Sequence, residues 1–358
     1  MKTYIIAEAG VNHNGDINLA KKLIDIAVKA KVNAVKFQTW ITENVMSRTA
    51  PKAEYQITNT GSQESQFDME KKLELKFDEF IELKNYCDEK GVEFLSTPFD
   101  FESADFLINV LKLDTIKIPS GEITNAPLLL YIAKYHKNII LSTGMATVAD
   151  IQNALGVIAF GLINDKTNPS IEAFERAYIS EQGQQLLREK VSLLHCTTEY
   201  PAPIDETNLL AMKSLGNVFG LPVGYSDHTK GIEISIAAVA LGATIIEKHI
   251  TYDKNAEGPD HAASIEPLEL VNMVESIRNV ELSLGNGIKV PSNSEIKNRE
   301  VARKSLVAFQ SIKKGEYFSS GNMAVKRPGS GLSPFYYWEL QDQRATKDFK
   351  IDEEITLK

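Results

Sequence analysis

A chain of 358 residues, 43% apolar and 24% charged, has the composition of a globular protein and is long enough for one large domain with a small companion. Its formal charge of −9 excludes a general electrostatic attraction to nucleic acid or to an anionic membrane surface. Two cysteines, Cys87 and Cys196, in no CxxC spacing, exclude a disulfide scaffold and fit a reducing compartment, and no apolar run reaches the ~20 residues that cross a bilayer.

The N-terminal MKTYIIAEAG leads directly into a strand rather than into the apolar core of a secretion signal, so the expected location is the cytoplasm. Short β-branched runs then recur at 4–8, 33–38, 93–97, 115–119, 138–143, 192–196, 221–226 and 244–249. Helical periodicity separates them, in LAKKLIDIAVKAK, FDEFIELKNYCDEK, SADFLINVLKL, LLLYIAKYHK and IEISIAAVALGA, with VNMVESIRNVELSL after the eighth strand. Eight such units within residues 1–285 predict an α/β fold, a closed (β/α)8 TIM barrel of parallel strands. An open doubly wound sheet competes, but no GxGxxG follows the first strand. Residues 40–76 are too long for a simple connection and are expected at the mouth of the site; 162–189 are polar and read as an extra surface helix without chemistry. Beyond 285, Gly, Pro, Ser and Asn cluster, so 286–302 reads as a linker and 303–358 as a compact, mostly β module.

In a barrel of this kind the site lies at the C-terminal ends of the strands. His228 and His249 each end an apolar strand beside acidic residues, and two neutral imidazoles on neighbouring strand ends can hold one divalent ion, Mn²⁺ or Mg²⁺, with positions left for water and substrate oxygens. Lys36 and Lys117 sit inside otherwise apolar strands, where a lysine requires an anionic partner. With Ser120, Ser142 and Ser226 they suggest a cradle for phosphate and carboxylate. The competing reading is a structural ion pair of each lysine with Glu8 or Glu122. Glu8, Glu122, Glu247 and Asp260 are candidate acid or base groups that the sequence does not rank. Asn12, Gln38, Thr97, Thr143, Thr198 and Tyr200 complete the polar strand ends, while His13 and His195 stand open between structure and function. These residues together point to a metal-assisted barrel enzyme acting on a phosphate-bearing anion and a carbonyl or sugar partner.

The segments EAGVNHNGD, VKFQT, FLSTPFD, IKIPSGEITN, LSTGM, HCTTEYPAP, GYSDHTKG, IEKHIT, GPDH and KRPGSGLSP, in this order, resemble the sialic acid synthase family along nearly the whole chain. The resemblance implies a barrel followed by an antifreeze-like (SAF) domain, exchanged across a homodimer. It implies condensation of phosphoenolpyruvate with an open-chain N-acyl hexosamine, releasing phosphate and giving a nine-carbon 2-keto acid. By that pattern His228 and His249 hold the metal, and Lys36, Lys117, Ser120, Ser142 and Ser226 hold phosphoenolpyruvate. Glu8, Gln38, Glu122, Tyr200, Glu247 and Asp260 would position sugar and water, with Glu122 carrying a proton, and Arg327 would reach the N-acyl group from the other subunit. Thr198, in TTEYP, stands where neuraminate synthases carry asparagine; this form resembles the legionaminic branch, whose sugar is 2,4-diacetamido-2,4,6-trideoxymannose, and N-acetylmannosamine is the alternative. No second basic cluster marks a sugar-phosphate site. The remaining readings are a metal-dependent aldolase or hydrolase and a non-catalytic sugar- or ice-binding protein led by the C-terminal module.

Overall fold

Eight strands alternate with helices through the first part of the chain: β1 (Tyr4–Gly10), β2 (Ala34–Thr39), β3 (Glu93–Pro98), β4 (Thr115–Ile118), β5 (Asn138–Ser142), β6 (Val191–Cys196), β7 (Val223–Asp227) and β8 (Ile245–His249). The computed structural model describes residues 2–60, 64–164 and 166–357, so 61–63 and 165, within the two insertions, lie outside the described residues. The strands pair in parallel in the order β3-β2-β1-β8-β7-β6-β5-β4, and β3 and β4 lie side by side at the seam. This is the expected TIM barrel, closed but for the ladder at that seam.

Strand alternation sorts the side chains into two populations. One face of each strand packs against the helices, as with Ile5, Val35, Phe94, Ile139, Leu193 and Ile246. Helix Ile17–Lys29 shows how that layer forms: the Asp16 side chain caps it by accepting from Asn18 N, and Ala20, Leu23, Ile24 and Ala27 turn inward at helical spacing. The other face fills the barrel. Ile6, Ala34, Leu95, Ile140, Leu194 and Ile245 make an apolar layer there, and two residues further along the strands every inward position except Thr97 and Cys196 is Glu, Lys or Ser. Gly224 belongs to the apolar layer, because a Cβ on it would stand 2.4 Å from Ile245 O and 2.7 Å from Leu194 Cδ2.

The helices follow the expected pattern with two departures. SADFLINVLKL is a short α-helix, Phe101–Asp105, that widens to a π-helix over Phe106–Val110, where Leu111 N bonds Phe106 O. The second insertion is not one surface helix. It forms Ile171–Ile179 and Glu181–Lys190, broken at Ser180, whose extended backbone lets its hydroxyl cap the second helix at Gly183 N, and it buries Ala173, Ala177 and Leu187.

The chain divides into two compact units, Met1–Gly285 and Asn286–Lys358. The second has its own core around Leu306, Ile312, Phe318, Met323 and Phe349, and an antiparallel pair, β9 (Ser305–Ala308) and β10 (Met323–Lys326). Residues 286–302, expected as a linker, are all exposed and carry a helix, Asn293–Ala302, opened by a Ser292–Glu295 capping box.

Candidate active site

A cavity of about 270 Å³ opens at the C-terminal ends of the strands, where the expected site lies. Its deepest polar layer is a charge network. In the β1–β2 ladder Glu8 faces Lys36, and their side chains pair at 2.6 Å. Lys117, from across the barrel, lies 3.1 Å from Glu247 Oε1, and Lys36 lies 3.7 Å from the other Glu247 oxygen. Ser226 Oγ donates to Glu247 Oε1 at 2.8 Å, Gln38 Nε2 to Glu8 at 3.0 Å, and Lys36 Nζ to Thr97 Oγ1 at 3.1 Å. Moving a charge into a protein interior costs several kcal/mol, and here each one meets its opposite. The lysines are therefore paired, as the competing structural reading had it, but the partner of Lys117 is Glu247 and not Glu122.

Burial sets the protonation states. Burial opposes the Glu247 charge, yet Lys117 and Lys36 overcome it and hold the carboxyl well below the usual range. Burial raises Glu8 despite Lys36, and lowers Lys117 despite Glu247. Lys36 is also opposed by burial, but with Glu247 and Glu8 both near it is held raised.

One turn nearer the mouth, the imidazoles of His228 and His249 lie with ring centroids 5.5 Å apart, and Tyr200 packs over His228 at 4.2 Å. Burial lowers His228 to about 4, and burial, with His228 and Lys36 close by, lowers His249 well below 6.5, so both rings are neutral at pH 7. His228 Nδ1 lies 2.6 Å from Thr197 O, a pure acceptor, so Nδ1 carries the proton and Nε2 keeps its lone pair. Nε2 faces Ser226 Oγ at 3.3 Å, whose proton goes to Glu247. His249 Nδ1 is buried without a hydrogen-bond partner among the described residues and lies 3.5 Å from Asp260. Two neutral imidazoles, one with its tautomer fixed by a backbone carbonyl, suit a divalent metal. No group of three or more His, Cys, Asp or Glu among the described residues forms a ligand cluster, so the other positions would fall to water and substrate oxygens.

Around this pair the cavity is lined by Ser120, Ser142, Thr198, Tyr200 and Asp260. Ser120 Oγ accepts from Gly144 N at 2.9 Å, and a Cβ at Gly144 would come within 2.3 Å of Thr198 Oγ1 and 2.8 Å of Ser120 Oγ, so both side chains would have to move to admit one. Ser142 Oγ and Thr198 Oγ1 are buried with no hydrogen-bond partner among the described residues, so both can still bond a group in the cavity. Burial raises Asp260 to about 7, aided by the Glu70 and Glu8 charges.

Not every expected residue joins them. Glu122 lies on the 3₁₀ turn Ser120–Glu122, where its carboxylate accepts from Asn125 Nδ2 at 2.6 Å; Ser120 and Gly121 of that turn line the cavity and Glu122 stands just behind them. His13 accepts from Gly15 N at 3.1 Å and Asn12 donates to Ile250 O and Ser264 Oγ, so both tie loops together. His195 contacts Thr207 O at 2.8 Å on the outer face of β6, while Cys196, one residue on, lines the cavity. Thr143 Oγ1 donates to Leu194 O. Arg327 lies in the second unit, directly after β10, with a cis bond to Pro328.

Among the polar lining residues, Gln56, Glu70 and Cys196 escaped the sequence reading. Gln56 and Glu70 come from helices Glu54–Thr60 and Gln66–Leu73 of the first insertion, which does contribute to the mouth, and burial raises Glu70 to about 7. Cys196 was within reach, because strand alternation from Leu194 turns it inward and His195 outward.

The model of the NeuB family matches residues 23–289. The chain is 52% identical over 354 residues to the N,N'-diacetyllegionaminic acid synthase of Campylobacter jejuni, covering 99% of each chain. It is 42% identical to the enzyme of the same name from Legionella pneumophila, covering 93% of this chain and 88% of that one. Among solved structures, the N-acetylneuraminic acid (sialic acid) synthetase of Leptospira borgpetersenii aligns with a TM-score of 0.65 and 34% identity, over 83% of this chain and 90% of that one. With this barrel, this strand-end cavity and identity along nearly its whole length, the chain belongs to the NeuB family, the sialic acid synthases.

Proposed function

We propose that the chain joins phosphoenolpyruvate to the open-chain form of 2,4-diacetamido-2,4,6-trideoxymannose, giving the nine-carbon 2-keto acid legionaminic acid and inorganic phosphate. The observation that carries this reading is the arrangement of one cavity: two buried lysines with serine hydroxyls at its closed end, and two neutral histidines nearer its mouth. The identity to two diacetyllegionaminic acid synthases supports the choice of sugar.

On this reading Lys36, Lys117, Ser120, Ser142 and Ser226 hold the phosphate and carboxylate of phosphoenolpyruvate. The Ser142 hydroxyl, without a partner among the described residues, can donate to that anion, and the low-dielectric surroundings strengthen each such contact. His228 and His249 would hold Mn²⁺ or Mg²⁺, which when bound acts as a Lewis acid on the sugar aldehyde. Gln38, Thr198 and Tyr200 line the cavity where the sugar would lie, and Asp260, held near 7, can give or take a proton beside it. Carbon 3 of phosphoenolpyruvate forms the new bond to the aldehyde carbon. Water adds at carbon 2, and phosphate leaves from the tetrahedral centre by C–O cleavage. Glu8 and Glu247 keep the lysines oriented and balance their charge before substrate arrives. The same reading expects a cytoplasmic homodimer, and sedimentation velocity reads the dimer directly.

The test is phosphate release from phosphoenolpyruvate with Mn²⁺, comparing the diacetamido sugar with N-acetylmannosamine, each with an EDTA control. Preference for the diacetamido sugar and loss of turnover with EDTA are expected. Preference for N-acetylmannosamine would make the chain a neuraminate synthase, EDTA-insensitive release would remove the metal from the scheme, and no release with either sugar would overturn the reading.

A further inference from the structure

We propose that the buried Asp227–Lys248 ion pair is a positioning device that sets the separation of His228 and His249. The inference rests on the metal reading above and concerns two residues that do not line the cavity. Asp227 immediately precedes His228 and Lys248 immediately precedes His249, so strand alternation turns this pair away from the barrel interior. They are direct partners in the β7–β8 ladder, Nζ to Oδ2 is 3.0 Å, and both side chains are 0% exposed.

The pair is also the centre of a fully engaged network. Asp227 Oδ1 accepts from Thr229 N at 2.9 Å and Thr229 Oγ1 at 2.7 Å, and Oδ2 accepts from Ser235 Oγ at 2.6 Å on helix Glu233–Ala240. Lys248 Nζ donates to Thr229 O at 2.5 Å. The residues on both sides of His228 are thus tied to each other and to the residue before His249. On the opposite face, at the preceding rung, Ser226 bonds Glu247. The last rungs of β7 and β8 are clamped from inside and outside just before the two imidazoles.

Stability alone does not account for a pair of charges here, buried between the strands and the helix layer. A dehydrated ion pair recovers little more than its desolvation penalty, and apolar side chains of similar volume commonly serve as well. Directional bonds do account for it, because a site with only two protein ligands needs them held to within about 0.5 Å.

The test compares the wild-type protein with the double variant Asp227→Asn/Lys248→Met, which removes both charges and keeps the volume. Mn²⁺ affinity is measured by electron paramagnetic resonance, and Co²⁺ loading by its visible absorption. The double variant is expected to fold, by circular dichroism, but to bind Mn²⁺ roughly 10–100-fold more weakly and to show shifted Co²⁺ bands. Ser235→Ala removes one donor to Asp227 and leaves the ion pair, and it decides the matter if the double variant does not fold: an affinity loss of about 5-fold is expected. Wild-type affinity and an unchanged Co²⁺ spectrum in the variants would overturn the positioning role alone. Absence of Mn²⁺ binding by the wild-type protein would overturn the metal reading beneath it.

Discussion

Glu247 stands between the two lysines, 3.1 Å from Lys117 and 3.7 Å from Lys36, so removing one cation does not leave it alone in the interior. Lys117→Ala is therefore expected to fold with an unchanged circular dichroism spectrum while kcat/KM falls by roughly 10²-fold or more, the loss of a charged contact to the reacting phosphate ester. Activity within a few-fold of wild type would remove Lys117 from the cradle. The histidines make a second prediction. In EDTA-treated protein the His13 and His228 rings, both lowered to about 4, should remain neutral at pH 6 and take up a proton only as the pH falls through about 4, as read by NMR of the ring carbons. The unfolded chain binds those protons first, near 6.5, so the two histidines withdraw stability as the pH drops from 6.5 towards 4 and contribute no such loss above it. Titration of His228 near 6.5 would show that the ring is not buried as described. That the lysines are paired was legible because an apolar strand cannot hold one without a partner. The partner of Lys117 was not, because it lies 130 residues away on a strand across the barrel, whereas Glu122 is near only in sequence.

At the scale of elements, β7 pairs with β6 and β8, and Gly224 leaves no room for a side chain between them. Gly224→Ala would place a methyl 2.4 Å from Ile245 O, so the strands must part. The expected cost is about 1–3 kcal/mol, seen as a lower Tm, together with weaker Mn²⁺ binding, because the same two strands end in His228 and His249. A Tm equal to wild type would mean that the barrel absorbs the methyl elsewhere. The eight strands could be read from the chain because each is a short β-branched run buried on both faces, and the helix Phe77–Lys90 ends where Gly91 takes a φ of +73°. The site-forming part of the first insertion could be assigned to the mouth but not resolved into residues. Gln56 and Glu70 lie on short helices whose polar sequence carries no periodicity to show which side chain turns inward. The break at Ser180 was missed for a related reason, since a serine inside a polar stretch reads as helix surface until its cap is seen.

For the whole molecule, the stretch 286–302, which joins the two units in sequence, is exposed at every residue. Brief trypsin treatment is expected to cut first at Lys289, ahead of helix Asn293–Ala302, leaving the barrel intact on a gel; first cuts inside the barrel would contradict this division of the chain. The apolar layer of Ile6, Ala34, Leu95, Ile140, Leu194 and Ile245 has a kinetic meaning. It closes the barrel below the lysines, so among the described residues the cavity opens at the C-terminal ends of the strands. A reactant seated on Lys36 and Lys117 lies beneath whatever occupies the ring of His228, His249 and Tyr200, and it can be neither loaded nor withdrawn past that occupant. Phosphoenolpyruvate should then bind first and the sugar second, in a compulsory sequence that inhibition by an unreactive sugar analogue would display as uncompetitive against phosphoenolpyruvate.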